Sequence, residues 1–226
     1  MVLMLRPPIA GGEASGNDDA QGRLAVRRDA VPLFSDRGYA ATSVDEIATA
    51  SGVSRRTFFR LFAGKHEILS SDHDVFLAET ADHLHRHESD RTIHRAAAAL
   101  SLVLDGFLAV PEDSCERYRL TRSHPVLRAE ELRWVARYQR ILAVFLSEHA
   151  DGSVSMAAEV SAAALVAAHN KALREWLRGE GSTGPTEAFD EVVGLIARQA
   201  AAPEGPRRIA VIETQLSFNE IARRLR

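Results

Sequence analysis

Cysteine is all but missing from this chain. Cys115 stands alone among 226 residues, so no intrachain disulfide can form, and a reducing, cytoplasmic setting is expected. No apolar run approaches the roughly 20 residues that a membrane-spanning helix requires, so no membrane partner is expected. The opening MVLMLRPPIA lacks a basic start and is interrupted by Pro7-Pro8, and it is not read as a signal peptide. Strand-like alternation and internal repeats are lacking too. So are a glycine-rich phosphate loop, a nucleophile elbow and a zinc-protease helix, which speaks against an enzyme and against a bound cofactor. What remains is an ordinary globular composition, 46 % hydrophobic and 26 % charged, sufficient for a sizeable core.

The charge is small overall but uneven. The net charge is −3, whereas Arg23 to Lys65 carries eight bases against four acids, +4 within a remainder of −7. A local basic patch on an acidic body is the distribution that nucleic-acid binding at one end requires.

Inside that patch lies TSVDEIATASGVSRRTFFRLFAGKH, residues 42–66. Ser43 followed three residues later by Glu46 has the spacing of a capping box. Val44, Ile47, Ala48 and Val53 can pack inward. Gly52 supplies a left-handed turn, and Ser54 opens a second helix as its N-cap. That helix carries Arg55, Arg56 and Arg60 and no acid. A short helix, a glycine turn and a basic second helix make a helix-turn-helix, whose second helix enters the DNA major groove. Ser54, Arg55, Arg56, Thr57 and Phe59 are the groove-facing candidates, with Ser43, Arg60 and Lys65 as phosphate contacts. Phe58, Leu61 and Phe62 share the opposite, buried face. Phe59 reads either as a groove contact or as packing on the next helix.

Around this core the chain reads as all-α, an N-terminal three-helix head followed by a C-terminal helical body. Residues 1–20, rich in glycine and proline, are expected to be a mobile arm, 21–66 the head and 67–226 a ligand-binding and dimerisation body. The first helix runs over about 21–37 with Val26, Ala30, Leu33 and Phe34 on one face. Pro32 predicts a kink or a later start. A strut-like fourth helix runs from Gly64 to about His87. Further helices are marked by Ala96 to Phe107, ended by Pro111, then by a short segment near Cys115 to Arg122. After the break at His124-Pro125, Leu132 through Leu146 form an amphipathic helix. An alanine-rich helix covers about 153–178, another covers 186–201, and a last one follows Pro206.

Gly-Val-Ser followed by Thr57, two aromatics, Phe62 and Lys65, after a first helix ending Arg37-Gly38-Tyr39 and a second opening Ser43-Val44, resembles the TetR family of bacterial transcription regulators. The resemblance covers about residues 23–70. It implies a homodimer with DNA-binding heads and ligand-binding bodies, in which the last two body helices pair. SRRTFFR, with Arg122…Pro125-Val126-Leu127 and Trp176, is similar to the actinobacterial members with acyl-CoA-like ligand-binding bodies, which implies a small hydrophobic or acyl-type ligand. Arg56 departs from the small residue usual there, Phe59 from Tyr, and Gly64 from a Ser N-cap.

Candidate ligand residues are Phe107, Trp134, Tyr138, His169 and Asn170. His169 reads equally as a hydrogen-bonded core residue. Arg117, Arg119 and Arg122 suit an acidic headgroup or a solvated face, the latter being preferred. His83, His85 and His87, with Asp72 and His73, lack a second ligand pair, so no metal site is expected. A DNA-binding dimer without a ligand is the alternative; a cavity in the body distinguishes the two.

Overall fold

The computed structural model describes residues 14–86, 92–147, 154–180 and 183–200, and every regular element among them is helical. The first helix, α1, spans Ala14–Arg37. Residues 14–20, expected in the arm, therefore belong to the helix, and 1–13 lie outside the described residues. Pro32 neither ends α1 nor delays its start. It sits on the exposed side, where the missing N–H is offset by burial of Val26, Ala30 and Phe34 on the other face.

Helix α2 (Val44–Ala50) opens with the predicted box: the Ser43 hydroxyl accepts from the Glu46 N–H, and the Glu46 carboxylate accepts from the Ser43 N–H. Gly52 has φ +64°, with open space where a side chain would go, so the backbone angle alone demands glycine there. Helix α3 (Arg55–Leu61) is capped by Ser54, whose hydroxyl accepts from the Thr57 N–H. Phe34, Ile47, Phe58 and Phe62 close the head core, which also takes Leu120 and Leu127 from the body.

The fourth helix is interrupted. Lys65–Ser70 forms a 310 turn, two turn residues follow, and α4 begins at His73 and ends at His85. One continuous helix from Gly64 to His87 is thus corrected, and His87 is outside the described residues. The interruption places Asp72 where two arginines from other helices reach it, as described below.

The body comprises α5 (Ile93–Leu108), α6 (Pro111–Ser123), α7 (Pro125–Leu146), α8 (Met156–Leu177) and α9 (Pro185–Ala200). Thr92 and Ser155 cap α5 and α8. Pro111 and Pro125 open α6 and α7 at the first turn, where a missing N–H costs nothing. Helix α8 packs against α7 and α9, and α5 lies across all three. A Cβ on Gly106 would stand 2.5 Å from the Phe76 ring, so glycine permits the close approach of α4 and α5. In α7 the buried stripe is Trp134, Tyr138, Leu142 and Phe145. Leu132, expected on it, is 66 % exposed because its position falls on the other side of the helix. The terminal helix expected after Pro206 lies outside the described residues. Among the described residues no single helix is long and apolar enough to cross a membrane.

Candidate DNA-binding face and body cavity

Burial of Phe58, Leu61 and Phe62 turns the other side of α3 to solvent. Arg55, Arg56, Phe59 and Arg60 are exposed there, with Ser54 beside them and Thr57 half-buried, its hydroxyl 2.8 Å from that of Ser54. Phe59 is 47 % exposed and meets Phe58 edge-on, so it is not packed away on the following turn. Arg55 pairs with Asp45 of α2 and lies over the Phe59 ring. Arg60 pairs with Asp19 of α1. Among the described residues no ion pair holds Arg56.

All three expected phosphate contacts have intramolecular partners, Arg60 in its exposed pair with Asp19 and the other two in the fold of the head itself. Ser43 is the cap of α2, and its N–H and hydroxyl hold the Glu46 carboxyl below the usual range. Lys65 directs its ammonium at the carbonyls of Tyr39 and Thr42, each at 2.7 Å, and stands over the Tyr39 ring. It clasps the loop between α1 and α2 instead of pointing outward, because three carbonyls there lack helical partners.

Head and body are joined by buried charge. Asp72 accepts from Arg27 of α1 at 2.8 Å and from Arg117 of α6 at 2.8 Å, and Arg27 also pairs with Asp113 of α6. Arg117 donates as well to the Leu69 carbonyl and stacks on Phe107 at 4.0 Å. It is only 8 % exposed, which corrects its reading as part of a solvated face; Arg119 and Arg122 are exposed. Burial raises the Asp72 carboxyl, but the two guanidiniums outweigh burial and hold it at about 2. Arg23 adds an outer tie, 3.1 Å from Asp74 of α4.

Beside this junction the body contains a cavity of about 100 Å³. Phe107, Trp134, Tyr138, His169 and Asn170 all belong to its wall, as do Leu69, Ser70, His73 and Arg117. His73 is its aromatic hub: the ring stacks on Trp134 at 5.0 Å, lies 5.8 Å from both Phe107 and Tyr138, and its Nδ1 is 3.2 Å from the Tyr138 hydroxyl. Burial lowers His73 to about 3, against the opposing Asp72 charge, and burial lowers His169 to about 4, so both rings are neutral. Burial pushes the Tyr138 phenol up.

His73 and Arg117 are wall residues that the pattern of the chain assigned to other roles, Arg117 to an acidic headgroup or, by preference, a solvated face. His73 was grouped with the later histidines. Its own signal was weak, an acid-histidine pair next to the expected junction. Among the described residues no three His, Cys, Asp or Glu side chains come together as a metal set.

A helix-turn-helix head on a hollow helical body defines a class of DNA-binding regulators. Residues 28–71 match the family described as bacterial regulatory proteins, tetR family. MftR of Mycobacterium tuberculosis, a transcriptional regulator named for mycofactocin biosynthesis, is 30 % identical over 174 residues, covering 74 % of this chain and 85 % of its own. The transcriptional activator FasR of Mycolicibacterium smegmatis is 40 % identical over 63 residues, 26 % of this chain and 28 % of its own. The fold matches that of Thermus thermophilus FadR, a repressor solved with lauroyl-CoA, at a TM-score of 0.54 and 19 % identity over 83 % of this chain and 100 % of that one. A regulator from Syntrophomonas wolfei gives 0.59 at 18 % identity, over 86 % of this chain and 100 % of that one. The chain belongs to the TetR family and is a DNA-binding transcriptional regulator.

Proposed function

We propose that this regulator binds its operator as a homodimer and is a repressor, released when a small molecule enters the body cavity. The observation that carries this is the position of Asp72. Leu69, Ser70 and His73 line the cavity on either side of it, while its carboxylate holds Arg27 of the head. Expansion of the cavity then displaces the anchor of α1. A ligand that prefers the displaced arrangement shifts the population toward it, and one of equal affinity for both shifts nothing.

On the DNA side, Arg55, Arg56, Thr57, Phe59 and Ser54 enter the major groove and Arg60 meets a phosphate. Ser43 and Lys65 act through the loop they hold. Two heads of a dimer must stand about 34–36 Å apart to reach successive major grooves. The exposed apolar side chains Met156 and Val160 of α8 and Leu195 of α9 suit pairing of these helices between subunits. The cavity favours this reading over a dimer with no ligand.

The test is selection of an operator from random DNA by the full-length protein, then anisotropy titrations with acyl thioesters and small neutral amphiphiles. Release by a compound that also binds the free protein is expected. Operator affinity indifferent to every compound that binds the body would leave only the ligand-free reading.

A further inference from the structure

Two arginines open the recognition helix, and the fold treats them differently. Arg55 and Arg56 are the first two residues of α3, the end of such a helix that meets base edges. Arg56 is exposed, and no ion pair among the described residues holds it. Arg55 is held from two sides. Its Nη1 donates to the Oδ1 of Asp45 in α2, and its guanidinium lies 5.3 Å from the centre of the Phe59 ring, one turn along α3. That ring is itself fixed, meeting the fully buried Phe58 edge-on at 5.4 Å. The turn at Gly52, with its positive φ, folds α3 back on α2 so that residues ten apart in the chain meet.

The contact does little for the fold. The two side chains are 61 % and 67 % exposed, and a solvated pair of this kind contributes little to stability. It also sets a carboxylate on a face that must approach phosphates, which costs DNA affinity. The neighbouring acid, Glu46, is occupied by the α2 cap and by Arg37.

What the Asp45 contact does is fix where the Arg55 guanidinium points. Asp45 takes the Nη1 side, and the Phe59 ring lies against one face. The Nε–Nη2 edge has no partner among the described residues. It presents two parallel N–H donors, the pattern that O6 and N7 of guanine accept in the major groove. A guanidinium fixed before docking loses less rotamer freedom on reading a base than an unheld one.

Given that α3 enters the major groove, as proposed above, we infer that Arg55 reads a guanine and that Asp45 is the positioning residue that directs it there and away from the phosphates. Asp45 itself touches no base.

The experiment is selection of binding sites from random DNA by the full-length protein and by Asp45→Asn, Arg55→Ala and the double variant, scored position by position. Affinity for random-sequence DNA is measured alongside. The parent is expected to require guanine at one position of each half-site. Arg55→Ala should lower that preference by about tenfold or more, the worth of a bidentate base contact. Asp45→Asn should lower it at the same position by about three- to tenfold, the cost of ordering one long side chain afresh. Binding of Asp45→Asn to random DNA should tighten, because one anion leaves the face and Arg55 is released to phosphates. In the double variant Asp45→Asn should add nothing to the loss of preference. Replacing the guanine by 7-deazaguanine removes one acceptor, and should weaken the parent and leave Arg55→Ala unmoved. Melting temperatures should stay near the parent's, so that lost selectivity is not a lost fold.

An unchanged guanine preference in Asp45→Asn overturns the inference and leaves Asp45 as a favourable charge at the start of α2. A loss at a different position overturns it too, with Asp45 itself accepting from a cytosine amine. A parent without guanine preference, weakened by Arg55→Ala equally on all sequences, makes Arg55 a phosphate contact. Arg56→Ala and Phe59→Ala separate these failures from that of the groove reading. If both also leave DNA binding unchanged, α3 lies outside the groove and the two readings fall together. If they weaken it, the assignment of Arg55 and Asp45 falls alone.

Discussion

The head and the body solve the problem of buried polarity in opposite ways. In the head, the helix caps and turns draw partners from near in the chain, Ser43 with Glu46, Ser54 with Thr57, the Gly38 N–H with the Phe34 carbonyl, and the Lys65 ammonium closes the loop between α1 and α2 from further off. The result is a small, filled core of phenylalanines and a rigid basic face. Where the body meets the head, charge is buried between helices, Arg27 of α1 and Arg117 of α6 on Asp72, and the body core stops short of filling its own centre. A surface that must fit a groove is best made from local, closed geometry. A site that must respond needs space and a junction that can take two arrangements.

The sharpest way to break this contrast is at the junction. Asp72→Ala leaves two arginines facing each other without their shared carboxylate, and should cost about 3–5 kcal/mol in chemical denaturation, as for other broken buried ion pairs. A loss below 1 kcal/mol would place the pair effectively in solvent. Gly106→Ala comes next. A methyl there meets the Phe76 ring and should cost about 1–3 kcal/mol by overpacking, with α4 forced off α5; an unchanged Tm would show slack between those helices.

Acid then separates the regions by titration. His169 is held neutral by burial, its value lowered from about 6.5 to about 4. The unfolded chain therefore binds the proton first, and stability is lost as pH falls from about 6.5 toward 4, at up to about 1.4 kcal/mol per pH unit. His73, lowered by burial to about 3, adds to the same limb, so His169→Leu should make it shallower without abolishing it, seen as Tm against pH. The junction follows only at lower pH, since Asp72 is protonated near 2.

The smallest effect on stability and the largest on DNA belongs to Arg56→Ala. Stability should move by less than about 0.5 kcal/mol, because nothing is buried. Operator affinity should fall about tenfold, and base selectivity should relax only if the guanidinium reads a base edge. Unchanged DNA affinity would move Arg56 out of the interface.

Much of the head was legible in the chain. The Ser43–Glu46 box, the positive φ of Gly52, the Ser54 cap and the burial of Phe58, Leu61 and Phe62 follow from spacings of three and four residues. Those rules are local, and so is the structure that obeys them. The Lys65 clasp was not legible, because its partners are backbone carbonyls more than twenty residues away and carry no sequence identity. The burial of Arg117 escaped for a similar reason: its reach depends on where α6 crosses the turn at Asp72. The cavity was half legible. Its aromatic and polar wall residues stood out on their helices, whereas the void between them did not.

By itself, then, the order of residues determined the helices, their caps, the buried stripe of each and the basic reading face, since each depends on neighbours within a turn or two. The tertiary packing decided which charges are buried, where the fourth helix breaks and that the body encloses a space. Those depend on distances between helices, set by side-chain volumes such as the missing methyl at Gly106 and by ion pairs such as Arg27–Asp72, with no local pattern to announce them.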